Sequence, residues 1–401
     1  MDTPIMEPFV LEDFEELNAA LDQTSLPEVI TQSRRNLDLF ENTTLDIAIT
    51  GVSGAGKSSL VNAMRGLGDD ADDDDENVAK TDVVQGTFHP KRYLHPLLPN
   101  VAIWDLPGIG TEDFQAARYL KQVNFDKYDF FIIVSATRFT ENDAKLAREI
   151  QKRKKKFYFV RSKTDVDLGN ESRKRNFREE RTLERIRNDC EQHLEQRGQS
   201  TPRVFLISRW DLDKYDFPLL QMTLEEELDD LKSQVLIMAI PAFSKEILEK
   251  KKKTMKKLIW MQALLSGALG AIPVPGLSFP CDIAILVSTL RVFCKVFGLD
   301  HAAISKLAIR VRKNEAVLRS AIKKTPMASE ITPPFVVHLL QKSLFCSSLM
   351  VLEIALDFVP VLGSITGAGL SFATTLYMLK CFLNDAEEDA KNVLAVVSGQ
   401  A

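Results

Sequence analysis

The sequence predicts an α/β fold, a mainly parallel sheet with helices on both faces, joined to an all-α region. Three observations predict it. Short β-type runs alternate with helical stretches between residues 45 and 208, a glycine-rich turn carries the first run into a helix, and no convincing strand follows residue 243. The 401 residues allow two or three domains of roughly 100–200 residues each. We expect an N-terminal helical segment over 1–42, the sheet domain over 43–240 and a C-terminal helical domain over 241–401, with the second boundary near Pro241.

Each element follows from local pattern. Over residues 9–40, Phe9, Leu11, Phe14, Leu17 and Leu21 recur at helical spacing, and Pro27 is placed to open a second helix, so a helical hairpin is expected. From Leu45 the period changes to that of a strand. Strand runs are read at 45–50, 101–106, 130–136, 156–161 and 204–208, and helices at 59–65, 141–154 and 173–196. Beyond residue 243 come a basic helical segment at 245–257, a polar one at 304–324, and apolar stretches at 258–298 and 344–383.

Composition narrows the function classes. Hydrophobic residues make up 45% and charged residues 27%, which is the make-up of a folded protein. The net charge of −5 gives no overall drive toward nucleic acid, and the basic runs at 152–156 and 250–257 lack interleaved aromatics, so nucleic acid is not an expected partner. Those runs are expected to cover solvent-facing helix ends, and the acidic stretch 69–76 to be a solvated insertion. Five widely spaced cysteines with no CxxC suit a reducing compartment with buried free thiols. The start Met1-Asp2-Thr3-Pro4 lacks a basic signal-peptide opening and a glycine for myristoylation, so a cytoplasmic location is expected.

The chemistry lies in three spaced motifs. Gly51-Val52-Ser53-Gly54-Ala55-Gly56-Lys57-Ser58 fits GxxxxGK[ST] in full, followed by Ser59, between a strand and a helix. Glycines let backbone N–H groups turn inward around phosphates, the helix aims its positive end at them, Lys57 neutralises β/γ charge and Ser58 offers a hydroxyl to Mg²⁺. Asp105-Leu106-Pro107-Gly108 follows an apolar strand. Asp105 is thereby placed at a strand's carboxyl end, where a carboxylate holds Mg²⁺ directly or through water, and Gly108 offers its N–H to a γ-phosphate.

Ser162-Lys163-Thr164-Asp165 ends another strand and fits [NT]KxD with Ser in the first place. Asp165 can accept two hydrogen bonds from guanine donors that adenine lacks, while the Lys163 stem lies along the base, which selects GTP over ATP. Ser208-Arg209, at the next strand's end, is a further, backbone-mediated guanine contact. Residues 79–87 are positioned as the first switch loop, and either Thr81 or Thr87 would give its hydroxyl to Mg²⁺.

With these elements in order, the chain resembles the immunity-related, interferon-inducible GTPases. The resemblance rests on residues 51–58, 79–84, 104–110, 128–139 and 157–161, and on Tyr215-Asp216-Phe217-Pro218, and it covers nearly the whole length. It implies a P-loop G domain flanked by a helical domain built from both termini. It also implies GTP/GDP and Mg²⁺ as ligands, self-association through G domains, and peripheral action at intracellular membranes such as endoplasmic reticulum, Golgi or vacuole. Lys57 places the chain with the GKS-type members. Gln85 stands where members that hydrolyse GTP well often carry Glu.

Hydrolysis needs a water-positioning group. Small GTPases often place Gln directly after DxxG, but Ile109 occupies that position here, so Gln85 or a partner molecule must help and an isolated monomer should be slow. A guanine-nucleotide-binding scaffold with little hydrolysis is the alternative. The apolar stretches, broken at 273–276 and 358–363, have arms near or below the ~20 residues that span a bilayer, leaving a buried helical core, GTP-dependent insertion or spanning as readings.

Overall fold

The computed structural model describes residues 25–67, 78–80, 89–109, 114–199, 202–210, 212, 214–242, 244–270, 278–341 and 366–399. The chain divides into two units, Thr43–Ile247 with Ser305–Glu315, and Met1–Asn42 with Leu248–Ile304 and Ala316–Ala401.

In the first unit a six-stranded sheet has the order β2-β3-β1-β4-β5-β6. Its strands are β1 (Leu45–Gly51), β2 (Lys91–Leu94), β3 (Val101–Asp105), β4 (Phe130–Ser135), β5 (Lys156–Arg161) and β6 (Val204–Leu206). All neighbours are parallel except the antiparallel pair β2–β3. Every residue of β4 is buried, as expected where helices cover both faces of a parallel strand and its sequence is an unbroken apolar run. Strand β1 lies between β3 and β4: from β1 the chain runs to β2 and β3 on one side and then crosses to β4 on the other. The resulting crevice at the strands' carboxyl ends is where α/β sheets bind ligands.

The helix Leu26–Asn42 is α1, and α2 to α8 follow as Lys57–Met64, Ala116–Gln122, Glu141–Lys152, Thr164–Glu171, Glu179–Gln196, Phe217–Glu227 and Asp230–Ala239. Helix α4 opens on a capping box in which Thr140 and Asp143 satisfy each other's backbone N–H. One buried cluster joins Leu106, Ile109, Tyr119, Phe131, Phe159 and Leu194, and side chains of this size contribute roughly 1.5–3 kcal/mol each on burial.

Several elements differ from expectation for visible reasons. Strand β2 was not expected, because Tyr93 alone of its four residues is buried and an edge strand needs only one apolar face. Of the helix expected over 173–196 only Glu179–Gln196 forms, as α6, while α5 precedes that range and was not expected; α4 stops at Lys152 because Lys154 adopts φ 60°. The segment expected as one helix over 304–324 is two, His301–Val311 and Glu315–Ser320, separated where Arg312 adopts φ 52°.

The basic segment and the first part of the apolar stretch form one helix, Lys245–Gly270, which from Leu248 onward belongs to the second unit. The basic run does not wholly face solvent. Lys251 is 1% exposed and falls on the buried stripe it shares, at four-residue spacing, with Met255, Ile259 and Ala263. Lys252 pairs with Glu387 at 2.7 Å. Asp389 is buried and accepts N–H bonds from Lys323, Lys324 and Thr325 at 2.7–2.9 Å, plus the Thr325 hydroxyl at 2.8 Å. Among the described residues no helix is long and apolar enough to cross a membrane. The expected helix before residue 25, the acidic stretch 69–76 and the breakers at 273–276 and 358–363 lie outside the described residues.

Candidate nucleotide site

The site is built on the carboxyl end of β1. Gly51 adopts φ 140°, and a Cβ there would lie 2.0 Å from the Val134 carbonyl oxygen, so no other residue fits between β1 and β4. Gly56, at φ 89°, caps α2 and turns the loop into the helix. Gly54 is also left-handed, and the Ala55 N–H closes the loop on the Val52 carbonyl at 3.2 Å. Ser53 and Gly54 lie at the exposed crest.

Lys57 is 7% exposed and donates to the Val52 carbonyl at 3.2 Å. Burial pulls its ammonium below the ordinary lysine range, and the nearby Asp105 charge opposes that shift. The Ser58 hydroxyl donates to Asp105 Oδ2 at 2.6 Å, bringing the two expected Mg²⁺ ligands together from α2 and β3. Two hard oxygen donors beside a phosphate loop fit a magnesium ion. Beyond Asp105, Leu106 N–H bonds the Ile49 carbonyl at 3.0 Å and Ile109 N–H the Gly51 carbonyl at 3.3 Å. A Cβ on Gly108 would stand 3.3 Å from the Ser53 nitrogen, so glycine lets this segment lie against the phosphate loop.

At the other end, the Ser162 hydroxyl donates to the Ala55 carbonyl at 2.6 Å, and the Ser162 N–H bonds the Ser135 carbonyl at 2.9 Å. Serine in the first place of the base-reading motif therefore ties that motif to the phosphate loop. Lys163 is exposed, in a left-handed conformation at φ 58°, and Asp165 sits half-buried in the first turn of α5. Thr164 N–H bonds the Ile207 carbonyl at 3.1 Å, which joins this loop to the end of β6, and buried Ser208 accepts the Trp210 N–H at 3.1 Å.

The model for the family described as "Interferon-inducible GTPase (IIGP)" matches residues 10–397. The chain belongs to this family. It is 40% identical over 387 residues to "Interferon-inducible GTPase 5" of Rattus norvegicus, covering 95% of this chain and 82% of the relative. It is 35% identical over 385 residues to "Interferon-gamma-inducible GTPase 10" of Mus musculus, covering 96% and 88%.

In this member of the interferon-inducible family, Thr81, Gln85 and Thr87 lie outside the described residues. The start of their loop is anchored, because the buried Asn62 side chain makes two 2.9 Å hydrogen bonds to the Ala79 backbone. Ile109 is 1% exposed in the core, so its side chain meets no catalytic water. Sequence reasoning missed Tyr119. Its hydroxyl lies 2.8 Å from Thr50 Oγ1 and donates to the Pro107 carbonyl at 2.9 Å, joining β1 to the segment after Asp105. Burial raises that phenol's pKa. A tyrosine inside a helical run carries no local signal of that role. Asp216, within the quoted Tyr215–Pro218 motif, accepts the Leu206 N–H and an Arg187 guanidinium, each at 2.7 Å, and so fixes the end of β6.

Proposed function

We propose that this chain binds GTP with Mg²⁺, hydrolyses it slowly to GDP, and in the GTP state self-associates through its G domains. It works from the cytoplasm as a peripheral partner of intracellular membranes in cell-autonomous immune defence. The observation that carries the nucleotide reading is the 2.6 Å bond from Ser162 to Ala55, because it makes the base-reading and phosphate-binding loops one assembly.

Residues 51–59 take the phosphates on backbone N–H groups and the positive end of α2. Lys57 neutralises β/γ charge, Gly108 offers its N–H at the γ end, and Asp165 with Lys163 and Ser208 receives guanine. Ser58 and Asp105, with Thr81 or Thr87 from the switch loop, would hold Mg²⁺, and the ion supplies charge neutralisation on the phosphate oxygens. Burial of Ile109 removes one source of water orientation. Gln85 or a second molecule must then provide it, and a supplied group of that kind is worth ~10³–10⁵ in rate. The same observation favours the second reading, a nucleotide-dependent scaffold with little hydrolysis.

Turnover per molecule, measured with GTP and Mg²⁺ over a wide range of protein concentration, tests the proposal. We expect it to rise with concentration while ATP is left intact. Flat, measurable turnover would assign the water-positioning group to this chain alone, and absent turnover with retained GTP binding would favour the scaffold.

A further inference from the structure

Arg209 was read only as part of a backbone-mediated guanine contact, yet its side chain connects both ends of the site. It follows Ser208 beyond β6, and its Nη1 donates to Ser59 Oγ at 3.1 Å, in the first turn of α2. Its guanidinium carbon lies 4.1 Å from the centroid of the Trp210 ring, while Trp210 is itself 46% exposed. Stacking on an indole holds a guanidinium at a fixed height, and the Trp210 N–H bond to Ser208 Oγ fixes the turn that carries both residues.

The nucleotide's own dimensions give this bridge a purpose. A guanine held at 162–165 and 208, with β- and γ-phosphates at Lys57 and Ser58, must run its ribose and α-phosphate between those points. Arg209 spans that interval, from the residue after Ser208 to the residue after Ser58. The permanent charge and planar donor fork of arginine suit a phosphate oxygen there, and the N-terminal dipole of α2 adds to the attraction.

Resting on the proposed guanine-nucleotide reading, we infer that Arg209 binds the α-phosphate of the bound nucleotide, with Ser59 beside it and Trp210 positioning the guanidinium. The competing role is a structural clip between the loop after β6 and α2. A clip would be indifferent to the chemistry of the α-phosphate.

The test compares GDP with the two diastereomers of its α-thio analogue by direct titration. Wild type should bind GDP and discriminate between the diastereomers. Arg209→Gln should weaken GDP and GTP by the same factor, about tenfold for loss of one charge-assisted contact, and should shrink the diastereomer preference by several-fold. Arg209→Lys should fall between the two, and Trp210→Ala should lose about threefold on both nucleotides. Melting without nucleotide reports whether each variant folds. Weaker GDP binding with an unchanged diastereomer preference would make Arg209 a clip, and unchanged affinity in both arginine variants would also overturn the inference. Failure of wild type to bind GDP would instead remove the nucleotide reading beneath it.

Discussion

Lys57 and Lys251 are both buried, 7% and 1% exposed, and burial pulls both ammonium groups below the ordinary lysine range. Their surroundings differ. Beside Lys57 a carboxylate, Asp105, works to keep the charge, and a glycine-rich loop and the start of a helix surround it. Lys251 lies on the core stripe of a long helix, and burial takes it to about 7. The carboxylates repeat the contrast: Asp105 accepts a hydroxyl from an expected cation ligand, whereas Asp389 is surrounded by N–H and O–H donors of its own chain. Around the phosphate loop, buried charge gathers at Lys57 and Asp105, while elsewhere in the sheet unit it is taken up by the fold, as at Asp143 in its capping box. In the helical unit it is used up by the fold.

The sharpest way to break this comparison is Lys57→Ala. Losing a charge directed at the β/γ-phosphates should cost about a thousandfold in GTP affinity by calorimetry, or about 4 kcal/mol, while the melting temperature stays near wild type. A variant that melts much earlier but binds normally would place Lys57 with the structural charges.

Asp165→Asn should come next. An amide both donates and accepts where a carboxylate only accepts, so GTP should bind roughly a hundredfold more weakly and xanthosine triphosphate should gain. Competition between the two nucleotides reads the change directly. If wild type binds ATP as well as GTP, the base-reading assignment of residues 162–165 fails.

These two effects depend on positions that were readable from sequence, and the reason is geometric. Phosphate loops and base readers need given residue types at fixed offsets after a strand, so Gly51, Lys57, Ser58, Asp105 and Asp165 are recognisable without coordinates. The parallel sheet was legible for a related reason, since a strand buried on both faces, like β4, shows as an unbroken apolar run. What escaped is long-range. Tyr119, Asn62 and Arg209 act across the fold on Pro107, Ala79 and Ser59, at separations of 12, 17 and 150 residues. The first place of the base reader shows the same limit: Ser162 departs from [NT]KxD, yet its hydroxyl makes a bond that a motif comparison cannot see. The basic run misled because charge density was read without its phase, and Lys251 is the member that the helical period turns inward.

On the structural side, Asp389→Asn should destabilise the helical unit without touching the nucleotide. The amide keeps one acceptor oxygen for donors now shared between two, and hydrogen bonds to an ionised group are worth about 1.5–3 kcal/mol, so a loss of about 2 kcal/mol is expected. Urea unfolding, followed with and without GDP, checks both halves of the statement. A large fall in GDP affinity at unchanged urea midpoint would mean that the two units are not separable in this way.

The smallest effect belongs to Lys251, and its pH dependence has a definite sign. The folded-state value of about 7 lies below the ordinary 10.5 of an unfolded chain. Between these values the unfolded chain binds more protons at this site, so its contribution to stability rises with pH across the window. Below about 7 both states carry the proton, and the cost of burying the charge is present in full. Lys251→Met keeps the length of the side chain and removes the charge, beside the Met255 and Ile259 already on that stripe. The variant should therefore melt about 2–4 °C above wild type at pH 6, an effect of about 1 kcal/mol, with the gap closing as pH approaches 10. Other titrating groups are common to both proteins and cancel in the difference. A variant less stable than wild type at pH 6 would show that Lys251 makes an interaction worth more than its burial costs, and would move it to the same class as Lys57, a lysine whose charge its surroundings are built to keep.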